Sequence, residues 1–289
     1  MAWTLRGFDA TYSLTDLIAG FNVSSPIHVQ LIYVFDSELH QCDYATRMTK
    51  RRLLLLSNGS ELIGLTPSEL AQGVLKDFLG ASVKRILFVP FATVVYTEDV
   101  YLKAVRKRIG PLGYEVESLH TAADAKKAVE GADAIAVGGG NTFHLLRGLH
   151  QCGVVELIRE RALSGMPYVG WSAGSNVACP TIRTTNDMPI VEPPTLNALG
   201  LVPFQINPHY TDAKLEGHMG ETRDERLIEF THANPSVPVI GLREGTMLRV
   251  ERDDITLLGG KPARLFVKGV EPRDIAPEES FDFLLKDAY

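Results

Sequence analysis

Short apolar runs separated by amphipathic stretches dominate the chain from Met48 onward. Leu53–Leu56 is an unbroken apolar run closed by Ser57-Asn58-Gly59-Ser60, the pattern of a buried strand. Lys50, Arg51 and Arg52 lead into it and read as a solvated strand entry rather than a nucleic-acid contact. Pro67–Leu79 predicts a helix with Leu70, Val74 and Leu75 on one face. Arg85–Val89 is a second apolar strand, and Glu98–Ile109 a helix stopped by Gly110-Pro111. Tyr114–Leu119 reads as a strand, Ala122–Glu130 as a helix, and Ala134–Val137 as a fourth strand running into Gly138-Gly139-Gly140. Two helical stretches lead to a fifth strand, Tyr168–Gly170, and further strands are read at Phe204–Ile206 and Pro238–Leu242. Met247–Glu251 and Ile255–Leu258, joined around Asp253-Asp254, predict an antiparallel hairpin, and Arg264–Val267 one more strand.

Apolar strands alternating with amphipathic helices predict a mostly parallel sheet covered on both faces. Residues 48 to about 245 therefore read as a doubly wound α/β domain, with the hairpin at its C-terminal side. Residues 1–47 hold short apolar pieces such as Val29–Phe35 but no sustained alternation, so they read as an N-terminal extension ahead of a domain over 48–289.

Composition narrows the function. The chain has 289 residues, 45% hydrophobic and 22% charged, enough apolar material for a large core. A net charge of −6 gives no support to nucleic-acid binding. No apolar run reaches the ~20 residues of a membrane span, and Asp9 and Asp16 interrupt any signal-peptide core. Cys42, Cys152 and Cys179 are odd in number and show no metal or disulfide spacing, which points to a reduced, cytoplasmic setting. The oligomeric state stays open.

Gly170-Trp171-Ser172-Ala173-Gly174 fits a nucleophile elbow, G-x-S-x-G, with an apolar strand before it and small, helix-starting residues after it. A serine in such a turn is presented at the carboxyl end of the sheet, and the Ala173 amide points to the same spot. Gly138-Gly139-Gly140-Asn141-Thr142 permits three readings: a phosphate cradle, for which the spacing is poor; a tight turn capping the next helix; or an oxyanion loop using an amide near Gly140.

A serine needs a base, and eight histidines are available. His28 and His40 lie in the irregular zone, and His120, His144 and His150 fall on or beside helices. His218 sits in a Gly-flanked loop, and His232 lies toward the end of the helical run Arg223–Ala233. His209, in Asn207-Pro208-His209-Tyr210 at the end of a strand, is the best placed, because sites in open α/β sheets gather beyond strand carboxyl ends. Glu244, after the strand Pro238–Leu242, is the candidate to orient the imidazole, with Asp187 and Asp212 as rivals.

Leu53–Asn58 (LLLLSN), Val137–Phe143 (VGGGNTF), Gly170–Gly174 (GWSAG), Cys179–Val191 (CPTIRTTNDMPIV), Gln205–His209 (QINPH), Gly220–Arg223 (GETR) and Gly241–Gly245 (GLREG) together resemble peptidase E, the α-aspartyl dipeptidase family of serine peptidases. The resemblance runs from Met48 onward and leaves residues 1–47 without a counterpart. It implies a flavodoxin-like sheet related to class I glutaminases and cleavage of dipeptides that begin with aspartate, with no metal or organic cofactor. The family triad falls on Ser172, His209 and Glu244. The GETR arginine, Arg223, is implied as the ligand of the substrate's aspartate side chain, since a guanidinium fork binds a carboxylate with two hydrogen bonds. Asp187 suits the substrate's ammonium by charge, and Cys179 reads as a small buried side chain. Two rival readings are a cyanophycinase-like peptidase and a catalytically silent binding module on the same fold.

Overall fold

The computed structural model describes residues 50–64, 68–213, 217 and 219–286; the predicted extension, with Val29–Phe35, His28 and His40, and also His218, lies outside them. A seven-stranded sheet forms the centre, in the order β3-β2-β4-β5-β1-β8-β9. Its strands are β1 (Arg52–Leu56), β2 (Arg85–Val89), β3 (Glu115–Ser118), β4 (Ala134–Val137), β5 (Tyr168–Trp171), β8 (Met247–Glu251) and β9 (Asp254–Leu258). The pairs among β1 to β5 are parallel. The predicted hairpin, β8–β9, adds to the β1 edge in antiparallel register.

Parallel strands need both faces covered, and β1 shows how the sequence meets that need. Leu53 and Leu55 point into one apolar cluster, while Leu54 and Leu56 point into the other. The second face is covered by α2 (Glu69–Leu79), which follows the short α1 (Ser60–Ile63), and by α3 (Glu98–Ile109). The first is covered by α4 (Ala125–Gly131), α5 (Thr142–Gln151) and α6 (Val155–Leu163). This is the mixed α/β, largely parallel architecture that the pattern predicts.

Two details differ from the sequence reading. Leu70 is 54% exposed, because α2 packs through Ala71, Leu75, Phe78 and Leu79, at i, i+4, i+7 and i+8. The strand entry is solvated only in part: Lys50 is exposed, but Arg51 is 1% exposed, donates from Nε to the Arg252 carbonyl at 2.9 Å, and pairs with Asp253. Arg52 lies over the Phe78 ring. Arg51 ties β1 to its neighbours, while Arg52 stays partly exposed.

A second, four-stranded sheet is the larger departure from a simple alternation. It contains β6 (Gln205–Tyr210), β7 (Val239–Arg243), β10 (Ala263–Phe266) and β11 (Arg273–Ile275), in the order β11-β10-β7-β6. Its strands share the first apolar cluster through Ile206, Ile240, Leu242, Ala263 and Leu265. The helix α8 (Arg223–Ala233) joins β6 to β7, while α7 (Ala173–Asn176) follows β5 and α9 (Phe283–Lys286) lies near the end of the chain. Among the described residues no helix is long and apolar enough to cross a membrane.

Candidate active site

The carboxyl ends of β4, β5 and β1 lie side by side, and the loops leaving them build the site. Ser172 follows β5 at φ 53° and ψ −113°, a strained conformation for a residue other than glycine. The turn is held by Ser172 N–H donating to the Leu56 carbonyl at 3.1 Å. Ser175 Oγ lies 2.7 Å from the same carbonyl and 2.9 Å from that of Gly170. The flanking glycines allow backbones to touch: a Cβ on Gly174 would lie 2.1 Å from the Val137 carbonyl oxygen, and one on Gly170 would lie 2.5 Å from that of Gly174.

His209 also has positive φ, 55°. It sits where the β6–β7 register shifts between Asn207 and Tyr210, and such a bulge re-aims a side chain. Its imidazole Nε2 lies 2.8 Å from Ser172 Oγ, and its Nδ1 lies 2.5 Å from Glu244 Oε1. Glu244 follows β7, in a turn closed by Gly245 at φ 83°. Lys261 Nζ holds the Glu244 carbonyl at 2.8 Å. With Nδ1–H donating to Glu244, Nε2 is left as the acceptor for the serine proton.

The rest of β6 is fixed by the run after the elbow. Asn176 Nδ2 and Thr184 Oγ1 donate to the Ile206 carbonyl at 3.1 and 3.0 Å. Asn186 Nδ2 donates to that of Pro208 at 2.7 Å. The Ile206 N–H donates to Cys179 Sγ at 3.1 Å. Cys179 is fully buried, and burial pushes its thiol up to about 12, so it is a packing and hydrogen-bonding residue, as the sequence suggested. The open edge of β6 is thus covered by side chains of residues 176–186.

Ser172, His209, Ala173, Gly140 and Asp187 line one cleft of about 400 Å³. Gly140 has φ 136°, and a Cβ there would lie 2.3 Å from the Ala92 carbonyl oxygen. Among the described residues neither the Gly140 nor the Ala173 amide has an acceptor, so both remain available to a ligand. Asp187 Oδ2 accepts from Thr142 N–H at 2.7 Å and Thr142 Oγ1 at 2.6 Å, which places its charge at the N-terminus of α5.

Arg223 is not part of that lining. It opens α8 and lines another cavity, of about 550 Å³, with Asp212, Asp224, Arg243, Arg264 and Asp274. Its Nη1 lies 3.5 Å from Asn207 Oδ1, and Asn207 is two residues from His209. Burial, then the nearby Arg226, draw its guanidinium below the usual value. Among the described residues no carboxylate pairs with it. Asp212, a rival for orienting the imidazole, is instead bound to Arg243 at 2.9 Å.

Other histidines stand elsewhere: His120 bonds Asp99 and Ser118, His144 bonds the Phe91 carbonyl, and His232 lies in the last turn of α8. Ser57 was not singled out by the sequence. Its buried Oγ accepts from His209 N–H at 3.0 Å and donates to the Leu242 carbonyl at 2.9 Å. Its place just beyond β1 is the same end-of-strand signal that singled out His209.

A serine after β5, an imidazole from β6 and a carboxylate after β7, in one hydrogen-bonded line, are the arrangement that serine hydrolases, peptidases among them, use for acyl transfer. The sequence model of peptidase family S51 matches residues 53–258. Peptidase E of Nostoc sp. is 49% identical over 238 residues, covering 82% of this chain and 98% of its own. A Drosophila melanogaster protein named probable alpha-aspartyl dipeptidase is 49% identical over 242 residues, covering 83% of this chain and all of its own. The solved structure of a peptidase from an acI-B1 actinobacterium matches with a TM-score of 0.57, covering 80% of this chain and 96% of that one at 21% identity, a likeness of fold. The chain belongs to peptidase family S51.

Proposed function

We propose that the protein hydrolyses dipeptides with an N-terminal aspartate through an acyl-enzyme on Ser172. The observation that carries this is the line from Ser172 Oγ to His209 Nε2, at 2.8 Å, and from His209 Nδ1 to Glu244, at 2.5 Å. Ser172 Oγ attacks the aspartyl carbonyl carbon, and its proton passes to His209 Nε2. Glu244 keeps Nδ1 protonated and favours the imidazolium that forms. The Gly140 and Ala173 amides receive the oxyanion. His209 then protonates the departing amine, and water, deprotonated by His209, releases aspartate and frees the serine.

Selection for aspartate is assigned to Arg223. A half-buried guanidinium without a carboxylate partner among the described residues gains by binding a ligand carboxylate, and Asn207 joins it to the His209 strand. The substrate ammonium is assigned to Asp187, whose carboxylate lines the cleft beside Ser172. The names of the relatives support the same substrate class. The setting inferred is the reduced cytoplasm, supported by the free thiols of Cys152 and Cys179.

A dipeptide panel varying the first residue tests the reading on the parent, Ser172→Ala and Arg223→Ala. Ser172→Ala is expected to stay folded and lose turnover. Arg223→Ala is expected to lose its preference for Asp-Leu over Ala-Leu. A Ser172→Ala protein with near-parental activity removes the nucleophile assignment, and an unchanged preference removes Arg223 from selection.

A further inference from the structure

The oxyanion site takes its two amides from separate segments, Gly140 after β4 and Ala173 after β5. The β4–β5 ladder ends at the Val137–Gly170 pair, before it reaches either amide. A buried side chain bonds to both segments beyond that pair. Tyr101, on α3, is 5% exposed. Its hydroxyl oxygen accepts from Gly139 N–H at 3.0 Å and from Trp171 Nε1–H at 2.8 Å, and it donates to the Gly139 carbonyl at 3.2 Å. Gly139 is the neighbour of Gly140, and Trp171 is the neighbour of Ser172.

Two accepted bonds and one donated bond use the full capacity of a phenol. The ring is fixed as well, edge-on to Phe88 at 5.0 Å and to Tyr96 at 5.5 Å. The first two glycines of the triplet fit this arrangement. A Cβ on Gly138 would lie 3.0 Å from the Tyr101 hydroxyl oxygen, and one on Gly139 would lie 2.9 Å from Ser172 Cβ.

We propose that Tyr101 is a positioning residue whose hydroxyl clamps the triple-glycine loop to the nucleophile elbow and so sets the spacing of the Gly140 and Ala173 amides. The inference rests on the acyl-transfer reading of Ser172. Tyr101 does not line the cleft and acts only through Gly139 and Trp171. Oxyanion donors work when they stand about 2.7–3.1 Å from the place the charged oxygen will occupy. Loss of the clamp therefore weakens transition-state binding more than substrate binding.

The test is Tyr101→Phe, which keeps the ring packing and removes only the hydroxyl. The expected result is a kcat about 10²-fold lower, with KM for Asp-Leu nearly unchanged. Affinity for an aspartyl aldehyde, which forms a tetrahedral adduct, is expected to fall by a similar factor, while affinity for free aspartate holds. Tyr114→Phe is the control and is expected to keep parental kinetics, since its hydroxyl bonds the Lys76 and Gly80 carbonyls and Tyr114 does not line the cleft.

Parental kcat in a folded Tyr101→Phe protein overturns the proposal. So does a drop in kcat and stability with aldehyde affinity unchanged, which marks a purely structural tyrosine. If Tyr101→Phe does not fold, Trp171→Phe decides. It removes one of the two donors to the hydroxyl, and a kcat about tenfold lower at parental KM supports the clamp, whereas parental kcat refutes it. Activity retained in Ser172→Ala sinks the acyl-transfer reading itself, an outcome separate from either.

Discussion

Ser57→Ala isolates one buried hydroxyl that joins the strand carrying His209 to the strand carrying Glu244. The substitution removes an oxygen from a fully buried side chain and leaves almost no cavity. It strips the His209 N–H of its acceptor at 3.0 Å and the Leu242 carbonyl of its donor at 2.9 Å. A buried polar group left unpaired costs about 1–3 kcal/mol. The Leu242 carbonyl is buried and bears that in full, whereas water reaches the partly buried His209 amide more easily, so the total is about 2–3 kcal/mol. For a domain of this size that lowers Tm by about 4–12 °C. The functional effect is larger. His209 is held at φ 55°, a conformation that costs an L residue about 1–2 kcal/mol, so loss of the tether favours its relaxation. A shift of about 1 Å in a reacting group costs about 10²-fold in rate. Thermal melts and steady-state kinetics on Asp-Leu check both numbers. Ser118→Ala is the comparison, another buried serine, bonded to the Phe88 carbonyl and His120 and outside the site, expected to lose stability with parental kcat. A Ser57→Ala protein that melts lower but turns over like the parent refutes the view that this hydroxyl aligns the imidazole.

Glu244→Gln is expected to fold and to lose about 10³-fold in kcat, because an amide no longer favours the Nδ1–H form of His209 or its charged state; steady-state kinetics with kcat within tenfold of the parent removes Glu244 from the mechanism. Gly140→Ala puts a Cβ 2.3 Å from the Ala92 carbonyl oxygen at φ 136° and is expected to cost about 10²-fold in kcat, whereas Gly113→Ala, at φ 100° in open space, is expected to lower Tm alone. Desolvation would raise the Asp212 carboxyl, but hydrogen bonds from Tyr210 and Arg243 outweigh it and hold it below its ordinary value. A depressed folded-state value stabilises the fold above the unfolded-state value of about 3.9, and that stabilisation is lost as pH falls through the folded value. Arg243→Gln is therefore expected to move the acid-unfolding midpoint to higher pH, and an unmoved midpoint in a fluorescence titration counts against the network.

The sequence by itself determined the parallel core and the sharp turn that presents Ser172. Apolar runs such as Leu53–Leu56, with helices between them, have one stable arrangement, a sheet buried on both faces, because each successive side chain needs its own cover. Gly170 and Gly174 were legible for a similar reason: the close approach to Val137 and to the elbow itself leaves no room for a side chain, so local spacing carries the geometry. His209 and Glu244 were legible as ends of strands. What only the tertiary structure decided is how those ends meet. Periodicity reports which face of a strand is buried, not which sheet it joins, so β6, β7 and β10 were legible as strands but not as members of a second sheet with β6 on its edge. The bulge at His209, the hydroxyl of Ser57 between two strands, the burial of Arg51 and the placement of Arg223 outside the serine cleft all depend on contacts between residues far apart in the chain. Such contacts are selected by the packing of the whole domain, and a single side chain read in its local sequence does not contain them.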